Sequence, residues 1–302
     1  ARVACVQNIN AAQTTGNMAA SIDLTQTDEA AVQACVSFIN WKSDYRSNRD
    51  LVNIWAHNSQ EALAWWAEEA AKGGVESKPH DAVLSYNGYD IPLHANTYFH
   101  VEGNHNAAAT VIAENLAAAG AEFFYNMPCK QLQTDESGAV TGAICEDADG
   151  AHHLFTATKG VILACGGYSG NETMMNALQP QSVEQTCVNY SKPGAKGDGI
   201  KACLWAGAIM DTTHTSMIFD RGAIKPDQTG EYGKASDGAL FWMGSQPFLK
   251  VNLNGERFMN EYMPYDLVLH AAASQPYHTY CTVWDSKYPE DVERFATHGC
   301  SS

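Results

Sequence analysis

Basic side chains are scarce in this sequence of 302 residues. It holds 18 lysines and arginines against 34 aspartates and glutamates, which gives a formal net charge of −16. This balance argues against a nucleic-acid backbone or an anionic membrane as the main partner. A polyanionic cofactor would have to be held locally, by backbone N–H groups and helix ends. The length allows a large core and indicates two domains or parts of two.

Patterns for metal binding and for membrane spanning are also missing. The nine cysteines include no CxxC pair, and no Cys/His spacing matches a zinc site. We therefore predict no metal site and expect mostly free, buried thiols. No run of about 20 apolar residues occurs, so we predict no transmembrane segment. No signal peptide is visible, but the chain opens abruptly on ARVACVQNIN, so a leader before it and the compartment both stay open.

The apolar patterns that are present predict an α/β fold. Residues 27–72 have the helical period, and another helix is predicted at about 105–119. Between them, residues 79–104 are rich in His, Asn, Tyr and Gly and indicate an irregular loop region. A strand-rich block follows at 121–158. After residue 211 the pattern changes to irregular turns and strands, which places a domain boundary there.

The stretch VILACGGYSGN predicts a strand at residues 161–164 that is buried on both faces, as in a parallel sheet. The chain then turns on Gly166 and Gly167 and enters a helix. Backbone can approach a ligand very closely only where no Cβ intervenes, and the N-terminus of the helix can receive an anion. The plain alternative is a tight turn without a ligand.

A second glycine-rich stretch, GAKGDGI, occupies residues 194–200. Gly197 and Gly199 flank Asp198, which could cap the helix that follows. The plain alternative is a capped helix and nothing more. By itself this stretch therefore does not predict a ligand.

A third segment, NGERFMNEYMPYD, runs from residue 254 to residue 266 beside an apolar run. It predicts a turn at Asn254 and Gly255. Arg257 and Glu261 are four residues apart, so an ordinary ion pair explains them as well as a role in a site does. Tyr265 is explained equally by a core position with a satisfied hydroxyl.

Taken together and in this order, the three segments resemble the flavoproteins of the fumarate reductase–succinate dehydrogenase family, especially its soluble fumarate reductases, ene-reductases and ketosteroid dehydrogenases. VILACGGYSGN is similar to the family's strand-ATGG-x-x-x-N segment. GAKGDGI is similar to its GATGDG segment, with Lys196 in place of threonine, and NGERFMNE is similar to its NxxGxRFxNE segment. Weaker similarity extends to both ends, so the resemblance covers most of the chain.

The resemblance implies FAD bound in a Rossmann-like domain, residues 1–211, and a capping domain (an α+β cap) to which residues 212–302 belong. Substrate then lies between cap and flavin. Hydride passes between flavin N5 and one carbon of an activated C–C bond, and a cap residue moves the proton at the other carbon. Carried over by position, the implied cofactor-binding residues are Asn8, Ile9, Asn10, Cys129, Ala164, Gly166, Gly167, Asn171, Gly197, Asp198 and Gly199.

Two parts of the family pattern are missing, so both FAD-binding and capping domains are expected to be incomplete. The sequence has no GxGxxG, the fingerprint that holds the FAD pyrophosphate. The family's C-terminal flavin-binding segment has no counterpart either. We therefore expect an internal fragment of a longer flavoprotein that binds FAD weakly or not at all by itself, which a fluorescence titration tests.

The sequence also departs from the fumarate reductases at the substrate. Where they read NExxxRD and the arginine donates the proton, Tyr265 stands here, as in the similar NExxPY setting of the ketosteroid dehydrogenases. The resemblance therefore implies Tyr265 as the proton donor. His214 replaces the substrate-binding histidine only with a gap, and Arg221 is either a carboxylate anchor or an ion-pair partner of nearby aspartates. Glu261 is the third predicted substrate-binding residue.

The loss of arginine at the proton-donor position also bears on the substrate class. Arginines clamp carboxylates with charged, bidentate hydrogen bonds, so their loss predicts a larger and less charged substrate: an enone, an aryl-acrylate or a steroid-like molecule. Three functions stay open. The first is an FAD-dependent reductase of small molecules with an activated alkene, fed by an electron-donor protein or domain. The second is a flavin dehydrogenase that acts in the other direction on a 3-ketosteroid-like substrate. The third is a flavoprotein-derived binding module without catalysis.

Overall fold

The computed structural model describes residues 2–11, 18–101, 106–185, 194–216, 244, 246–263 and 265–295. The chain forms two compact units. Unit 1 consists of Ala1–Lys130 and Ala143–Thr156, and unit 2 consists of Gln131–Gly142 and Ala157–Ser302. The predicted boundary near residue 211 falls inside unit 2. It stays a prediction of where the FAD-binding domain ends and the capping domain begins.

Unit 1 is built around an antiparallel sheet covered by helices. Its elements up to residue 124 are β1 (Ala4–Val6), β2 (Met18–Ile22), α1 (Glu29–Lys42), α2 (Arg49–Ala71), β3 (Glu76–Lys78), β4 (Asp81–Tyr86), β5 (Tyr89–His100), α3 (Ala107–Ala118) and β6 (Glu122–Phe124). Strand β5 is central, because β2, β3 and β4 all pair with it in antiparallel fashion. Strand β1 pairs with β6 in parallel.

The two long helices of unit 1 begin where side chains satisfy the first free N–H groups. Asp28 accepts from the Ala31 N–H at 2.8 Å, and Asn48 accepts from the Asp50 N–H at 2.9 Å. Their inner faces pack against the sheet and form a core that includes Ile22, Val32, Cys35, Val36, Ala56 and Ile91. The helices predicted at 27–72 and 105–119 are confirmed.

The prediction of an irregular loop at 79–104 is wrong, because β4 and β5 form a hairpin there. Asn87 and Gly88 have φ angles of 51° and 82°, as the central residues of a type I′ turn require. Along β4 the side chains alternate between half-buried and exposed. The polar composition hid this alternation, although the Asn-Gly pair is a hairpin signal.

Asp23 ties the end of β2 to the turn before α1 and to α2. The residue is buried, and its carboxylate accepts from the Thr25 hydroxyl at 2.6 Å and from the Gln26 amide at 2.5 Å. The Gln60 amide of α2 lies 3.4 Å from the same carboxylate. These hydrogen bonds, that of Thr25 first, lower the pKa of Asp23 from 3.8 to about 2.

Replacement of Asp23 by asparagine is expected to lower the free energy of unfolding by about 1–3 kcal/mol, because hydrogen bonds to a charged acceptor are lost. Since the folded pKa lies below the ordinary value of 3.8, the ionised carboxylate stabilises the fold above about pH 4, and this stabilisation disappears as pH falls towards 2. Urea unfolding of both proteins between pH 2.5 and 7 measures this as a difference that is constant above about pH 5 and shrinks below. Asp44→Asn, at an exposed carboxylate, is the control, and an equal loss there would contradict the prediction.

A three-stranded sheet follows α3 and β6 along the chain. Its strands are β7 (Cys129–Thr134), β8 (Val140–Glu146) and β9 (His152–Thr156), in that spatial order. Tight turns separate the strands, with the Gly138 N–H donating to Asp135 O and the Gly150 N–H to Asp147 O. The strand-rich block predicted at 121–158 is thereby confirmed.

The remaining elements belong to unit 2. They are α4 (Glu172–Leu178), α5 (Pro180–Gln185), α6 (Asp198–Trp205), β10 (Leu249–Asn252), α7 (Tyr265–Ala273), a 3₁₀ turn at Pro276–His278, β11 (Tyr280–Val283) and α8 (Tyr288–Arg294). Strands β10 and β11 pair in antiparallel fashion. Within the part of the chain that the structure describes, no helix is both long and apolar enough to cross a membrane.

The strand predicted at residues 161–164 is not formed. These residues belong to no strand, and Ile162 is 94% exposed. A strand exists only through hydrogen bonds to a neighbour, and none of the strands in the described residues pairs with this segment. Residues 161–164 are apolar, but the prediction that they form a buried strand is wrong.

Candidate functional site

The two glycine-rich segments of unit 2 lie side by side. The Gly170 N–H donates to Ala195 O at 2.8 Å, and the Gly197 N–H donates to Gly167 O at 3.2 Å. These backbone hydrogen bonds join residues that are 25 to 30 positions apart in the sequence. The segments that sequence analysis treated separately therefore form one surface.

Asn171 closes this surface at the start of α4. Its side-chain oxygen accepts from the Met174 N–H at 3.1 Å, as an N-cap residue does, and its amide donates to Lys196 O at 2.9 Å. The Lys196 ammonium in turn donates to Gly170 O at 2.7 Å. Lysine at this position thus helps to hold the two glycine segments together.

Gly197 is required by both its backbone and its surroundings. Its φ of +73° is left-handed, and a Cβ there would lie 2.9 Å from Tyr168 Cβ and 2.5 Å from Met174 Sδ. The sulfur can move, but the Cβ of Tyr168 is fixed to its backbone. Gly197 therefore serves the contact between the segments, and it is also the N-cap of α6. The suggestion that Asp198 caps this helix is wrong, because Asp198 is its first residue and pairs with Lys201 at 3.0 Å.

Replacement of Gly197 by alanine is expected to lower the free energy of unfolding by about 1–3 kcal/mol. Two costs add up: alanine is strained at a left-handed φ, and its Cβ would clash with the Cβ of Tyr168. Thermal unfolding of unit 2 followed by near-UV circular dichroism measures the effect. Gly138→Ala is a matched control, since Gly138 has a similar φ of +84° but open space around its missing Cβ. Equal losses at both positions would show that backbone strain alone matters.

Gly199 and Gly166 have different surroundings. A Cβ on Gly199 would lie 2.6 Å from Cys165 Sγ, so this glycine makes room for the thiol. Around Gly166 and Gly167, by contrast, a Cβ would meet nothing within 4 Å. The backbone of these two residues faces open space, as close approach of a flat ligand requires.

An open cavity of about 590 Å³ lies against this surface within unit 2. Its lining includes Ala164, Gly166 and Gly199 of the glycine-rich segments and residues 208–211 and 213–215, among them His214. Three predicted cofactor residues and one predicted substrate residue thus share one cavity. Its size and largely apolar lining suit a ring system, and the exposed glycine backbone fits the flavin that the sequence predicted.

The wall that carries His214 is attached to the glycine surface by hydrogen bonds that sequence analysis missed. The Gln179 side chain, which is buried, accepts from the Ser216 hydroxyl and donates to the Tyr168 hydroxyl at 2.7 Å. The Asp211 carboxylate accepts from the Thr213 N–H at 2.9 Å and so shapes the turn before His214. No sequence signal marks Gln179, because its partners lie 11 and 37 residues away.

Unit 1 holds the remaining predicted cofactor residues. They are Asn8, Ile9, Asn10 and Cys129. The Asn126 N–H donates to Ile9 O at 2.9 Å, and the Met127 N–H donates to Gln7 O at 2.8 Å. The N-terminal segment therefore lies beside the chain that leads into β7, which begins at Cys129. The structure brings these four residues into one region, and their contact with a cofactor stays a prediction.

The segment NLNGERF forms a tight turn after β10, as predicted. The Asn252 side-chain oxygen accepts from the N–H groups of Asn254 at 2.9 Å and Glu256 at 3.0 Å. Gly255 follows with a left-handed φ of +79°. The asparagine and the glycine of the motif therefore stabilise the turn. After the turn, Arg257 forms an antiparallel bridge with Val251 of β10.

Glu261 and Arg257 form a bidentate ion pair. Arg257 Nε lies 2.9 Å from Oε1 and Nη2 lies 2.6 Å from Oε2. The Lys250 N–H also donates to Oε1 at 3.3 Å. The arginine, first among the causes, lowers the pKa of the buried Glu261 to about 2. The structure favours the ion pair, and a substrate contact by Glu261 stays a prediction.

The other predicted substrate and catalytic residues are placed less fully. Tyr265 is the first residue of α7, but its side chain lies outside the described part of the structure. Arg221 lies outside the described residues altogether. Their roles therefore stay predictions, and only His214 is placed at the cavity.

Comparison with known proteins bears on the fold of this chain. A family model described as an FAD binding domain matches residues 2–278. Among solved structures, the open conformation of a flavocytochrome c3 fumarate reductase aligns with a TM-score of 0.60 and 20% identity, over 97% of this chain and 48% of that one. A 3-ketosteroid-Δ4-(5α)-dehydrogenase from Rhodococcus jostii RHA1 aligns with a TM-score of 0.54 and 16% identity, over 82% and 52%. At these identities the likeness concerns the fold, which is an α/β FAD-binding fold.

Three curated relatives match parts of the sequence. A urocanate reductase of Eggerthella lenta is 25% identical over 251 residues, 77% of this chain and 36% of its own length. A vinyl phenol reductase of Lactiplantibacillus plantarum is 30% identical over 49% of this chain and 29% of its own length. A 3-oxosteroid 1-dehydrogenase of Mycobacterium tuberculosis is 36% identical over 45% of this chain and 23% of its own length. The chain thus spans between about a quarter and somewhat over a third of the relatives that it matches.

Proposed function

Because this chain belongs to the FAD-dependent fumarate reductase–succinate dehydrogenase flavoprotein family, with FAD as its cofactor, we propose that its protein reduces an activated C–C double bond in an enone or an aryl-acrylate. The observation that carries the proposal is the cavity of unit 2, where Ala164, Gly166 and Gly199 share one space with His214. Residues that the family resemblance assigns to the cofactor and to the substrate thereby line the same cavity.

The lining of this cavity supports the proposed roles of the glycine segments and of His214, and the family resemblance supports the role of Tyr265. When bound, FAD supplies or accepts hydride at N5. The backbone at Gly166 and Gly167 leaves room for a flat ring, and the cluster of hydrogen bonds around Asn171 and Lys196 holds that backbone in place. His214 donates or accepts a hydrogen bond to orient the substrate. Tyr265 gives its phenolic proton to the carbon that does not receive hydride.

A neutral or singly charged substrate fits the charges that surround this cavity. Among its described lining residues there is no lysine or arginine, and Asp211 adds a carboxylate. Arg257, the arginine of the third segment, already forms its bidentate pair with Glu261. At these described lining residues a dicarboxylate would find no charged donor to clamp it, and Asp211 would repel it.

A substrate screen tests the proposal. The FAD-loaded protein, reduced with a viologen dye, is offered a dicarboxylate (fumarate), an aryl-acrylate (urocanate or cinnamate) and a cyclic enone. We expect kcat/KM for the best aryl-acrylate or enone to exceed that for fumarate by about 10²-fold, since fumarate would leave its second carboxylate unpaired. Faster turnover of fumarate would contradict the proposal. The electron donor in the cell, proposed to be a protein or a further domain, would replace the dye.

A second candidate is a dehydrogenase that oxidises a 3-ketosteroid-like substrate. The 3-oxosteroid 1-dehydrogenase relative supports it, and so does the similar tyrosine setting. Both directions use the same residues and differ in the acceptor. Steroid-dependent bleaching of an artificial acceptor, with no reduction of any alkene in the screen, would favour this candidate. No turnover in either assay would favour a binding module without catalysis.

A further inference from the structure

Two cysteines line the cavity of unit 2, and the proposed reaction uses neither. Cys165 stands between Ala164 and Gly166, and Cys203 lies one helical turn after Gly199 on α6. Both are thiols and not disulfides. Residues four positions apart on a helix share a face, so Gly199 and Cys203 face the same side.

The thiol of Cys165 has a defined place. Its Sγ lies where it would be 2.6 Å from a Cβ on Gly199, so it packs on the bare backbone of α6. Cys165 is an exposed residue, in contrast to Cys35 and Cys145, which are buried in unit 1. Reaction of a thiol requires access and a thiolate. Of these three cysteines, the one at the cavity has the access.

The lining of the cavity is apolar enough to favour binding of an apolar reagent. Leu163, Ile200, Leu204 and Met210 line it beside the cysteines. A flat apolar molecule that enters would bury part of its surface there and reside near both sulfurs. Burial of roughly 50 Å² of apolar surface corresponds to about 1.4 kcal/mol, or about tenfold in local occupancy.

We propose that Cys165, with Cys203 as a second acceptor, is a covalent modification site for electron-poor alkenes that enter this cavity. The thiolate sulfur forms a C–S bond to the β-carbon of the alkene, the π bond breaks, and the α-carbon takes a proton from water. The proton that the thiol lost has gone to solvent, so the addition needs no oxidant or reductant. If the proposed function is correct, the adduct occupies the same space in the cavity as the bound cofactor.

Selective labelling tests the site. The protein is treated with N-phenylmaleimide or with iodoacetamide, and peptide mass mapping measures the rate at each cysteine. Cys281, an exposed thiol outside the cavity, is the internal reference, and Cys35 and Cys145 are the buried ones. Burial raises the pKa of Cys35 and makes it slower still. We expect the rate ratio of Cys165 to Cys281 to be about tenfold higher with the apolar maleimide than with iodoacetamide.

A single and a double cysteine variant test which thiols carry the excess labelling. In Cys165→Ser the excess maleimide labelling is expected to move to Cys203, and in the double variant with Cys203→Ser it should vanish. An unchanged ratio between the two reagents, or a fast adduct only at Cys281, would overturn the proposal. Circular dichroism of each variant establishes that it is folded.

Protection by FAD separates this inference from the proposed function. At an FAD concentration of about ten times its Kd, occupancy should slow labelling of Cys165 about tenfold and leave Cys281 unchanged. FAD binding is measured by the quenching of its fluorescence. If FAD binds but does not protect Cys165, the cofactor does not lie in this cavity, and the inference that FAD and the adduct share one space is wrong. Absence of FAD binding would agree with the missing GxGxxG and would not count against the proposed function, while the two-reagent ratio would still decide the modification site.

Discussion

In the FAD-loaded holoprotein, replacement of Tyr265 by phenylalanine is expected to lower kcat for alkene reduction by about 10²–10⁴-fold while the FAD content stays unchanged. The phenylalanine keeps the ring and removes only the hydroxyl that carries the proton. Tyrosine, whose ordinary pKa is about 10, donates as a neutral acid at pH 7. Without it the carbon that does not receive hydride must take its proton from water. Binding of the substrate should change much less than its turnover.

Tyr262→Phe is the matched control, because Tyr262 lies three positions earlier and is 61% exposed. We expect it to keep nearly full activity. Turnover by reduced viologen, the visible spectrum of bound flavin and a substrate Kd are measured for both variants. If Tyr265→Phe keeps most of its rate, Tyr265 is not the proton donor. If it loses FAD as well as activity, the side chain has a structural role.

Replacement of Glu261 by glutamine is expected to lower the free energy of unfolding by about 1–3 kcal/mol. The carboxylate is buried, accepts from Nε and Nη2 of Arg257 through both of its oxygens and accepts from the Lys250 N–H. Glutamine fits the same space but presents one amide N–H₂ group to the guanidinium. Exposure of Arg257 to water limits the loss, because the arginine can be hydrated once its partner is neutral.

The effect should depend on pH in one direction. Because the folded pKa of Glu261 is about 2 against an ordinary 4.5, the pair stabilises the protein above about pH 4.5, and this stabilisation fades as pH falls towards 2. Urea unfolding should show a gap between wild type and Glu261→Gln that is full at pH 6 and narrows at pH 3. Glu256→Gln, in the same turn at an exposed carboxylate, should produce a small change at every pH. A pH-independent gap would mean that packing, and not charge, is responsible.

Local signals predicted many elements of this fold. The helices within 27–72 were predicted from their period, and the turn at Asn254 and Gly255 from neighbours in the sequence. The caps Asp28 and Asn48 were not predicted, although each lies within three residues of the N–H group that it satisfies. The strand predicted at 161–164 failed because a strand depends on a distant partner, which composition cannot reveal. The hairpin at 81–100 was missed because its polar residues obscured a period of two.

The candidate site shows the same difference between features that neighbouring residues determine and features that distant contacts determine. The positions of the glycines and the ion pair between Arg257 and Glu261 could be predicted from spacing and resemblance. The role of each glycine could not, since Gly197 and Gly199 are explained by contacts with Tyr168 and Cys165 across 29 and 34 positions of sequence. The bridge through Gln179 and the two cavity thiols had no sequence signal.

The sequence by itself determined the family, the FAD cofactor and the helices that local caps and periodicity specify, because each of these depends on residues near one another in the chain. The tertiary structure alone decided that Ala164, Gly166, Gly199 and His214 line one cavity and that the Gln179 side chain joins Ser216 to Tyr168 beside it. Such facts depend on distances between segments far apart in sequence. Those distances are set by packing and hydrogen bonding of the whole unit, and no local pattern encodes them.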